Sequence, residues 1–371
     1  MKICLIAPLP PFRGGIAKYC HTLAQELEKR HDLLLLSYKR QYPELLYGKK
    51  SQIDPDVDQD DLLHEFNDLT YSIDSLNPFS WHAAVQRIAA FGTEMVILPW
   101  WVAYWTPMYL YLLGSLKKKG IKVVFLCINV YEHENSRLKK FLTERTLRKA
   151  DSIIVHSGQE KDEILGFNSS ATVRKHFLPL FRYDFNNTFR HDRALHLLFF
   201  GFVREYKGLD ILLRAVGILK EQAISLRIAG EFWGDREGYL DLIKTLEISD
   251  KVDIVDHYVS DREMSRFFEE ADVVVLPYRT AKTSGVIATA YGFAKPVLAT
   301  DVGGFNEVVR DGFTGKIVAP DSPRAIAGGI EWFIKNRQTD FAGNIAAFAA
   351  QEMSWSSLVD MIEEFNWLKQ Q

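Results

Sequence analysis

The sequence predicts an α/β protein made of two Rossmann-like, doubly wound domains that face each other across a cleft. Short hydrophobic strands alternate with amphipathic helices along almost the whole chain, which is typical of parallel sheets covered by helices on both faces. The alternation stops over residues 177–194, which are polar and aperiodic, and then restarts. A length of 371 residues also exceeds one typical core and suggests about two domains.

The first half of the chain contains the elements of one such domain, residues 1–180. The strand KICLIAP leads through a glycine loop into the helix IAKYCHTLAQELEK, and the strand HDLLLLSY follows. Residues 39–68 are polar and turn-rich, so we predict a long surface insertion there. The remaining strands of this half are EMVIL, KVVFLC and DSIIVHS, with helices between them.

Residues 193–354 form the second predicted domain. Its strands are LHLLFFG, ISLRIAG, KVDIV, ADVVVLPY, KPVLAT and GKIVA. The tail from Trp355, residues 355–371, is one amphipathic helix. Because ligands of open parallel sheets bind beyond the carboxyl ends of the strands, the loops that follow these strands are candidate sites.

Composition narrows the class of protein. Hydrophobic residues make up 47% and charged residues 25% of the chain, as in globular proteins. The net charge of −3 argues against a general nucleic-acid binder, which would be basic. Cys4, Cys20 and Cys127 have neither metal-site nor disulfide spacing and lie in or beside apolar elements, which indicates buried reduced thiols. Because the chain opens on a strand and not on a signal peptide, we expect a cytoplasmic protein.

One uncharged segment, residues 96–114, approaches the length of a membrane span. Pro99 and Pro107 divide it and it is rich in Trp and Tyr, so we favour a strand that ends near Leu98, an aromatic loop, and a helix that begins at Pro107 with Thr106 as N-cap. This loop would line a substrate site, touch a membrane surface or, as an equal alternative, pack internally. Its aromatic residues are Trp100, Trp101, Tyr104 and Trp105.

The most informative motif is FFGFVREYKGLDILLRAV, residues 199–216. A hydrophobic strand runs into Gly201, two cations follow at Arg204 and Lys207, and a helix with apolar spacing begins at Lys207 and Gly208. Cations beside a helix N-terminus favour a diphosphate, because the terminal N–H groups and the helix dipole both attract an anion. The alternative is a strand–glycine–basic–helix sequence with a purely structural role.

A second motif spans residues 276–304, where Ser284 is predicted as the N-cap of a helix. The N–H groups of Gly285, Val286 and Ile287 would then face an anion. Since both motifs follow strands of the same sheet, we expect them to hold one diphosphate together.

A glycine loop also separates the first strand from the first helix, at residues 8–17. Gly14 and Gly15 would let the backbone approach a ligand with no Cβ in the way. The loop lacks the GxGxxG fingerprint and no acidic residue ends the second strand, so the sequence disfavours a nicotinamide-dependent dehydrogenase. An ordinary glycine turn is the alternative.

Together, these motifs resemble the retaining glycosyltransferases of family four, which have the GT-B fold of two Rossmann-like domains. FGFVREYKG resembles the family's phosphate-binding strand and loop, SGVIATAYGFAKPVLATDVGGFNEVV its donor-binding helix and the turn that follows, and GGIAKYCHTLAQEL its glycine loop and first helix. SYKRQYPELLYGKKSQID and CINVYEHE resemble a subgroup of the family. The resemblance covers nearly the whole chain and does not specify the sugar.

The resemblance implies roles for particular residues. Arg204 and Lys207 would neutralise the donor diphosphate in catalysis, and backbone groups at Tyr258 and Val259 would hold the base. The other implied donor-binding positions are Gly14 and Gly15, across the cleft, and Ser284, Gly285 and Val286, in the phosphate cradle. The first domain would bind the acceptor, and the helix 355–371 would cross back to it.

The chain departs from the family pattern at three positions. Ala281 and Thr289 replace two glutamates that usually serve the sugar and the ribose, so ribose binding would fall to Thr289. Ile128 replaces a histidine that often faces the sugar. His133, followed by Glu134, matches a second part of the subgroup's pattern and is a candidate catalytic residue. A helix-capping or solvated histidine is the equal alternative.

The implied activity is transfer of a sugar, with retention, from a nucleoside-diphosphate sugar of UDP or GDP type to a glycan or lipid-linked glycan, as in polysaccharide biosynthesis. No metal or cofactor is expected, because two cations and a helix dipole can stabilise the leaving diphosphate. Asp56, Asp58 and Asp60 look like a metal motif, but their polar surroundings favour a solvated loop. The alternatives are a non-catalytic sugar-nucleotide-binding partner, motivated by the missing glutamates, and a GT-B sugar-nucleotide epimerase.

The helix predicted over residues 135–149 is basic, with Leu138, Phe141 and Leu142 on one side. We slightly favour a helix whose apolar side faces the core and whose basic side faces solvent. The alternative is a helix that lies on an anionic membrane, at the inner membrane face.

Overall fold

The structure, a computed structural model, describes residues 1–43, 52–54, 64–131, 136–181, 183 and 194–367. The chain divides into two compact units. One comprises Met1–Phe177 together with Trp355–Gln371, and the other comprises Leu178–Ser354. The division lies at the start of the polar stretch that interrupts the strand–helix alternation.

The first unit is built around a parallel sheet whose central strands are buried by helices on both faces. Its strands are β1 (Lys2–Ile6), β2 (Asp32–Arg40), β3 (Leu69–Asp74), β4 (Met95–Trp100), β5 (Lys122–Cys127), β6 (Ser152–Val155) and β7 (Val173–Lys175). They pair in the order β3-β2-β1-β4-β5-β6-β7, and each neighbouring pair is parallel. The order reverses between β1 and β4, as in a doubly wound sheet.

Among the described residues, five α-helices lie between strands of this unit. They are α1 (Gly15–Glu28), α2 (Pro78–Phe91), α3 (Thr106–Lys117), α4 (Arg137–Leu147) and α5 (Gly158–Phe167). Helix α3 begins one residue earlier than predicted, with Trp105 at the N-cap and Thr106 as its first residue. The Thr106 hydroxyl accepts a hydrogen bond from Thr146 at 3.2 Å, so it is used for packing and not for capping.

The second unit repeats the same plan. Its strands are β8 (Leu195–Phe200), β9 (Ile224–Ala229), β10 (Val252–Val255), β11 (Val273–Leu276), β12 (Val297–Thr300) and β13 (Gly315–Val318). They form a parallel sheet in the order β10-β9-β8-β11-β12-β13. Its helices are α6 (Leu209–Ile218), α7 (Arg236–Thr245), α8 (Asp261–Glu270), α9 (Gly285–Gly292), α10 (Phe305–Val308), α11 (Pro323–Lys335) and α12 (Phe341–Glu352).

The last helix, α13 (Trp355–Trp367), belongs to the first unit and packs on α1. Arg30, just beyond α1, pairs with Asp360 at 2.7 Å and with Glu363 at 2.8 Å. The rings of Tyr19 and Trp355 lie 5.1 Å apart. The chain therefore returns to its first unit after completing the second.

The two parallel α/β units confirm the predicted fold class. The three cysteines are buried and free, as expected, and burial raises the pKa of each thiol. Strand β2 continues to Arg40, two residues into the predicted insertion, and β3 begins at Leu69, directly after it. Asp56, Asp58 and Asp60 lie outside the described residues.

Candidate functional site

Two loops of the second unit meet where the strand order of its sheet reverses. Strands β8 and β11 lie side by side, although they are not consecutive in the chain. The loop with Arg204 and Lys207 follows β8, and the loop that leads to α9 follows β11. Ligands of doubly wound sheets bind at this kind of switch point. The fold therefore brings the two sequence motifs to one place.

Gly201 is the point at which these two loops approach each other. It has a φ of +93°, in the region that favours glycine. A Cβ at this position would lie 3.1 Å from Nζ of Lys207 and 4.0 Å from Cγ2 of Val286. The ammonium group and the first turn of α9 therefore flank the same glycine.

Lys207 is a buried cation. It ends the 3₁₀ turn Glu205–Lys207, it is only 8% exposed, and its Nζ lies 5.5 Å from the centre of the Tyr278 ring. Burial, and secondly the positive charge of Arg204, lower the pKa of Lys207 to about 7. A bound anion would oppose both effects and hold the lysine in its charged form.

Gly208 holds this turn against the second loop. Its φ is +66°, and a Cβ there would lie 2.1 Å from the carbonyl oxygen of Pro277. Glycine alone combines this left-handed conformation with so close an approach. The turn that carries Lys207 is thus packed directly on the residue that follows β11.

Arg204 is half-buried beside an exposed aromatic ring. Its guanidinium carbon lies 4.5 Å from the centre of the Trp233 ring, which is a cation–π geometry, and Trp233 is 41% exposed. Phe202 packs against the same tryptophan, with ring centres 5.2 Å apart. The only sequence signal for this aromatic pair is its position directly after β8 and β9.

Ser284 caps α9, as predicted. Its Oγ accepts the N–H of Val286 at 3.2 Å, and the N–H of Ile287 donates to the Ser284 carbonyl at 3.1 Å. Two of the three N–H groups expected to face an anion are therefore engaged at the start of the helix, which corrects that part of the prediction. Gly285 is exposed, and a Cβ there would meet no atom within 4 Å. Open space thus lies at the first residue of the helix.

Small buried residues occupy the positions of the two expected glutamates. The hydroxyl of Thr289 donates to the carbonyl of Gly285 at 2.9 Å, so its proton is used inside α9 and only its lone pairs remain for a ribose. Ala281 is buried, and its carbonyl oxygen lies 2.0 Å from where a Cβ on Gly303 would stand. At both positions the structure shows packing in place of a carboxylate.

Tyr258 and Val259 lie in the loop between β10 and α8, at the same edge of the sheet as the other site loops. Both are half-buried. Ser260 begins α8 with a capping box, in which its side chain accepts the N–H of Glu263 and the Glu263 carboxylate accepts the N–H of Ser260. The cap fixes the backbone directly after the two residues.

Arg279 links the two site loops, and sequence reasoning missed it. Its guanidinium donates to both carboxylate oxygens of Asp210, at 2.9 and 2.7 Å, and to the carbonyl of Glu205 at 2.9 Å. Its backbone N–H donates to the carbonyl of Tyr206 at 2.8 Å. Asp321 forms an ion pair with its Nε at 3.0 Å. This network, the Arg279 clamp, fixes the turn that carries Lys207.

Gly14 and Gly15 lie in the first unit, at the start of α1. Gly14 is the N-cap and has a φ of +104°, which favours glycine at that position. A Cβ on either glycine would meet no atom within 4 Å. Both glycines are exposed, so this loop faces open space.

Ile128, His133 and Glu134 are the remaining positions that the sequence singles out in the first half of the chain. Ile128 follows β5, is half-buried, and donates its N–H to the carbonyl of Trp100 at 2.8 Å. His133 and Glu134 lie outside the described residues, so the proposed role of His133 stays a prediction.

The aromatic loop after β4 is largely internal, as one of the alternatives had it. Strand β4 extends two residues beyond the predicted end at Leu98, so Trp100 is its last residue, and both Trp100 and Trp105 are buried within the core of the first unit. Trp101 donates its indole N–H to the Tyr42 hydroxyl at 2.9 Å, and the hydroxyls of Tyr104 and Ser75 are 3.0 Å apart. These contacts account for both half-buried rings.

Within the part of the chain that the structure describes, no group of three histidine, cysteine or acidic side chains is placed to hold a metal ion. None of the described helices is both long and apolar enough to span a bilayer.

Two family descriptions match the chain. "Glycosyltransferase Family 4" matches residues 13–174, and "Glycosyl transferases group 1" matches residues 194–336. The first match lies within the first unit and the second within the second unit. Together they cover most of the sequence.

Similar proteins include a D-inositol 3-phosphate glycosyltransferase of Paenarthrobacter aurescens, which is 30% identical over 221 residues that cover 58% of this chain and 54% of that protein. An uncharacterized glycosyltransferase of Methanocaldococcus jannaschii is 33% identical over 138 residues, 36% of this chain and 34% of that protein. The chain thus spans about half the length, or less, of the curated relatives it matches.

Solved structures show the same fold at low sequence identity. HepE of Anabaena in complex with UDP has a TM-score of 0.73 and 16% identity over 98% of this chain and 99% of that one. Sucrose-phosphate synthase of Thermosynechococcus elongatus has a TM-score of 0.72 and 16% identity over 99% and 98%. Both likenesses support the two-unit fold.

Proposed function

Because the chain belongs to the family four glycosyltransferases (glycosyl transferases group 1), we propose that it transfers a hexosyl group from a nucleoside-diphosphate sugar to a glycan or lipid-linked glycan. One observation carries the proposal. At the switch point of the second sheet, the buried Lys207 and the start of a helix flank Gly201, and the positive charge of Arg204 acts on that lysine. This is an arrangement of positive charge that suits a diphosphate.

The proposed task of these groups is electrostatic. Negative charge builds on the leaving diphosphate as the bond from its oxygen to the anomeric carbon breaks. Arg204 and Lys207 would stabilise that charge. The attraction between Lys207 and the diphosphate would be strong, because the lysine is buried away from water. A charge-assisted hydrogen bond contributes roughly 1.5–3 kcal/mol, so losing either cation should weaken diphosphate binding about tenfold to a hundredfold.

We propose that transfer occurs with retention and without a metal ion. The acceptor hydroxyl would attack the anomeric carbon on the face from which the diphosphate leaves, and a phosphate oxygen would take its proton. The chemistry asks for no protein carboxylate at the sugar, in keeping with Ala281 and Thr289 at the usual glutamate positions. UDP is the first nucleotide to test, because HepE of Anabaena binds UDP and UDP-glucose.

A thermal-shift titration tests the proposal. UDP, GDP, TDP and ADP are added with and without magnesium to the wild-type protein and to the Lys207→Met and Arg204→Met variants. One diphosphate should stabilise the wild type independently of metal, and both variants should lose most of that shift. Lys220→Met is the matched control, because Lys220 lies just beyond the far end of α6 and pairs with Glu247.

If none of the four nucleotides shifts the melting temperature, the diphosphate site as described is wrong. If a nucleotide binds, its sugar derivatives are tested for transfer to lipid-linked and soluble glycans. If the nucleotide sugar binds but is neither transferred nor hydrolysed, the protein would be a non-catalytic sugar-nucleotide-binding partner. Conversion of the donor in the absence of acceptor would favour an epimerase.

A lipid-linked acceptor would require the protein to work at a membrane surface. We therefore include peripheral contact with the inner membrane face, and a role in polysaccharide biosynthesis, in the proposed function.

A further inference from the structure

Two large apolar side chains of α4, Leu138 and Phe141, face solvent. The sequence favours the opposite arrangement, in which the apolar side of this helix packs on the core. Leu138 is 66% exposed and Phe141 is 56% exposed, and as residues three apart they lie on one side of the helix. The expectation that their side faces the core is therefore wrong. The residues that α4 buries are Thr143, Thr146 and Leu147.

Hydrogen bonds explain why the threonine side faces inward. The hydroxyl of Thr146 donates to Thr106 at 3.2 Å, at the start of α3, and also lies 2.9 Å from the carbonyl of Leu142. These contacts satisfy a polar group that would otherwise be costly to bury. They fix the rotation of the helix and leave the two large apolar side chains outside.

The same surface is strongly basic. Residues 137–149 contain one carboxylate, that of Glu144, which accepts hydrogen bonds from Tyr131 at 3.1 Å and from Arg148 at 3.3 Å. The chain as a whole has a net charge of −3, so this concentration of positive charge is local. The cations of the segment are Arg137, Lys139, Lys140, Arg145, Arg148 and Lys149.

We propose that this α4 face, defined as Leu138, Phe141 and the exposed cations Arg137, Lys140 and Arg145, docks on an anionic lipid surface. Apolar side chains among cations on one helix are suited to the boundary between lipid headgroups and acyl chains. The cations attract the negative surface, and the leucine and phenylalanine enter it. A nucleic acid would satisfy the cations and leave both apolar side chains in water.

The inference deepens the proposed function by naming the surface that would bring the protein to a lipid-linked acceptor. Lipid binding by the α4 face needs neither a sugar donor nor an acceptor. The lipid-binding inference and the proposed sugar transfer can therefore be tested, and can fail, separately.

Co-sedimentation of the full chain with vesicles tests the inference. The vesicles contain either phosphatidylcholine alone or phosphatidylcholine mixed with phosphatidylglycerol, at low and at high salt. The protein should sediment with the anionic vesicles, and high salt should weaken this binding. The double variants Leu138→Ser/Phe141→Ser and Lys140→Glu/Arg145→Glu should each bind at least about tenfold more weakly.

Phe79→Ser is the matched control. Phe79 is 85% exposed in the first turn of α2, in the same unit, and the residues on either side of it are uncharged. This variant should bind vesicles as the wild type does. All variants should retain the wild-type melting temperature and the diphosphate-induced shift, which shows that they fold and that the donor site is intact.

The inference is wrong if the wild type does not sediment with anionic vesicles at low salt, or if Phe79→Ser weakens binding as much as the α4 variants. A third outcome also contradicts it: the wild type does not bind vesicles but forms oligomers, and the Leu138→Ser/Phe141→Ser variant stays monomeric. In that case a second copy of the chain covers the face. Vesicle binding without any nucleotide shift would retain the surface and reject the proposed function.

Discussion

Burial lowers the pKa of Lys207 so far that the side chain can lose its charge near neutral pH. Its pKa is about 7, first because burial disfavours the ammonium form and second because Arg204 is nearby. In the unfolded chain the same group has its ordinary pKa of 10.5. Between these two values the unfolded state binds more protons than the folded state, so this residue makes the free energy of unfolding rise with pH in that window. Below about pH 7 the folded protein carries the cost of a buried charge.

Diphosphate binding should therefore depend on pH in a way that Lys207 determines. A bound diphosphate favours the charged lysine, so binding above about pH 7 takes up a proton and affinity should fall as pH rises further. Isothermal titration calorimetry in buffers of different ionisation enthalpy measures that uptake. Lys207→Met should remove it, and Lys220→Met should not. Equal uptake in wild type and Lys207→Met would assign the proton to another group.

At the scale of elements, the site depends on how two loops are held together. The Arg279 clamp ties the loop after β11 to the turn Glu205–Lys207 and to Asp210 in the first turn of α6. The paired guanidinium and carboxylate hold the pKa of Asp210 below its usual value despite partial burial. We therefore expect Arg279 to be a positioning residue, which would act on a ligand through the placement of Lys207.

Shortening the clamp should weaken binding without removing a site charge. In Arg279→Lys, one ammonium cannot make the paired bonds to Asp210 and also reach the Glu205 carbonyl. We expect diphosphate affinity to fall several-fold, and further in Arg279→Ala, with proton uptake at pH above 7 reduced because Lys207 is no longer held in place. Calorimetry measures both quantities.

Asp321→Ala is the control for the clamp. Asp321 pairs with Nε of Arg279, away from the nitrogens that bond Asp210 and Glu205, and its side chain is 63% exposed, so its loss should cost little. If Asp321→Ala and Arg279→Lys weaken binding equally, the clamp to Asp210 and Glu205 is not what positions Lys207.

The elements also show which parts of the site can be predicted from sequence. Local signals succeed: the strand–helix alternation gives the fold class, and the Ser284 cap follows from a serine at the start of an apolar helix. Signals that depend on distant partners fail. Nothing near Arg279 in the sequence indicates Asp210, and the rotation of α4 depends on a bond from Thr146 to Thr106, forty positions earlier.

For the whole molecule, the path of the chain has a thermodynamic consequence. It begins and ends in the first unit, and the second unit is inserted between Phe177 and Trp355. Helix α13 contributes four almost fully buried apolar side chains to the first unit. It also carries Asp360 and Glu363, which form ion pairs with Arg30. These side chains are Leu358, Val359, Ile362 and Phe365.

Removal of residues 355–371 should therefore unfold the first unit and spare the second. Each buried Leu, Ile, Val or Phe side chain contributes about 1.5–3 kcal/mol, and a domain is typically stable by only about 5–15 kcal/mol. Four such losses are comparable to the whole stability of the first unit. The second unit contains Arg204, Lys207 and α9, so it should still bind the diphosphate.

Limited proteolysis with and without nucleotide measures this outcome. In the truncated chain, cleavage should become rapid within residues 1–177, while a fragment near 178–354 survives and is protected further by the diphosphate. The Arg30→Ala variant of the full chain is the mild control, since it removes exposed ion pairs and leaves the apolar contacts in place. Rapid cleavage of both units after truncation would mean that the second unit depends on the first for its stability, and the two could then no longer be treated as separate folding units.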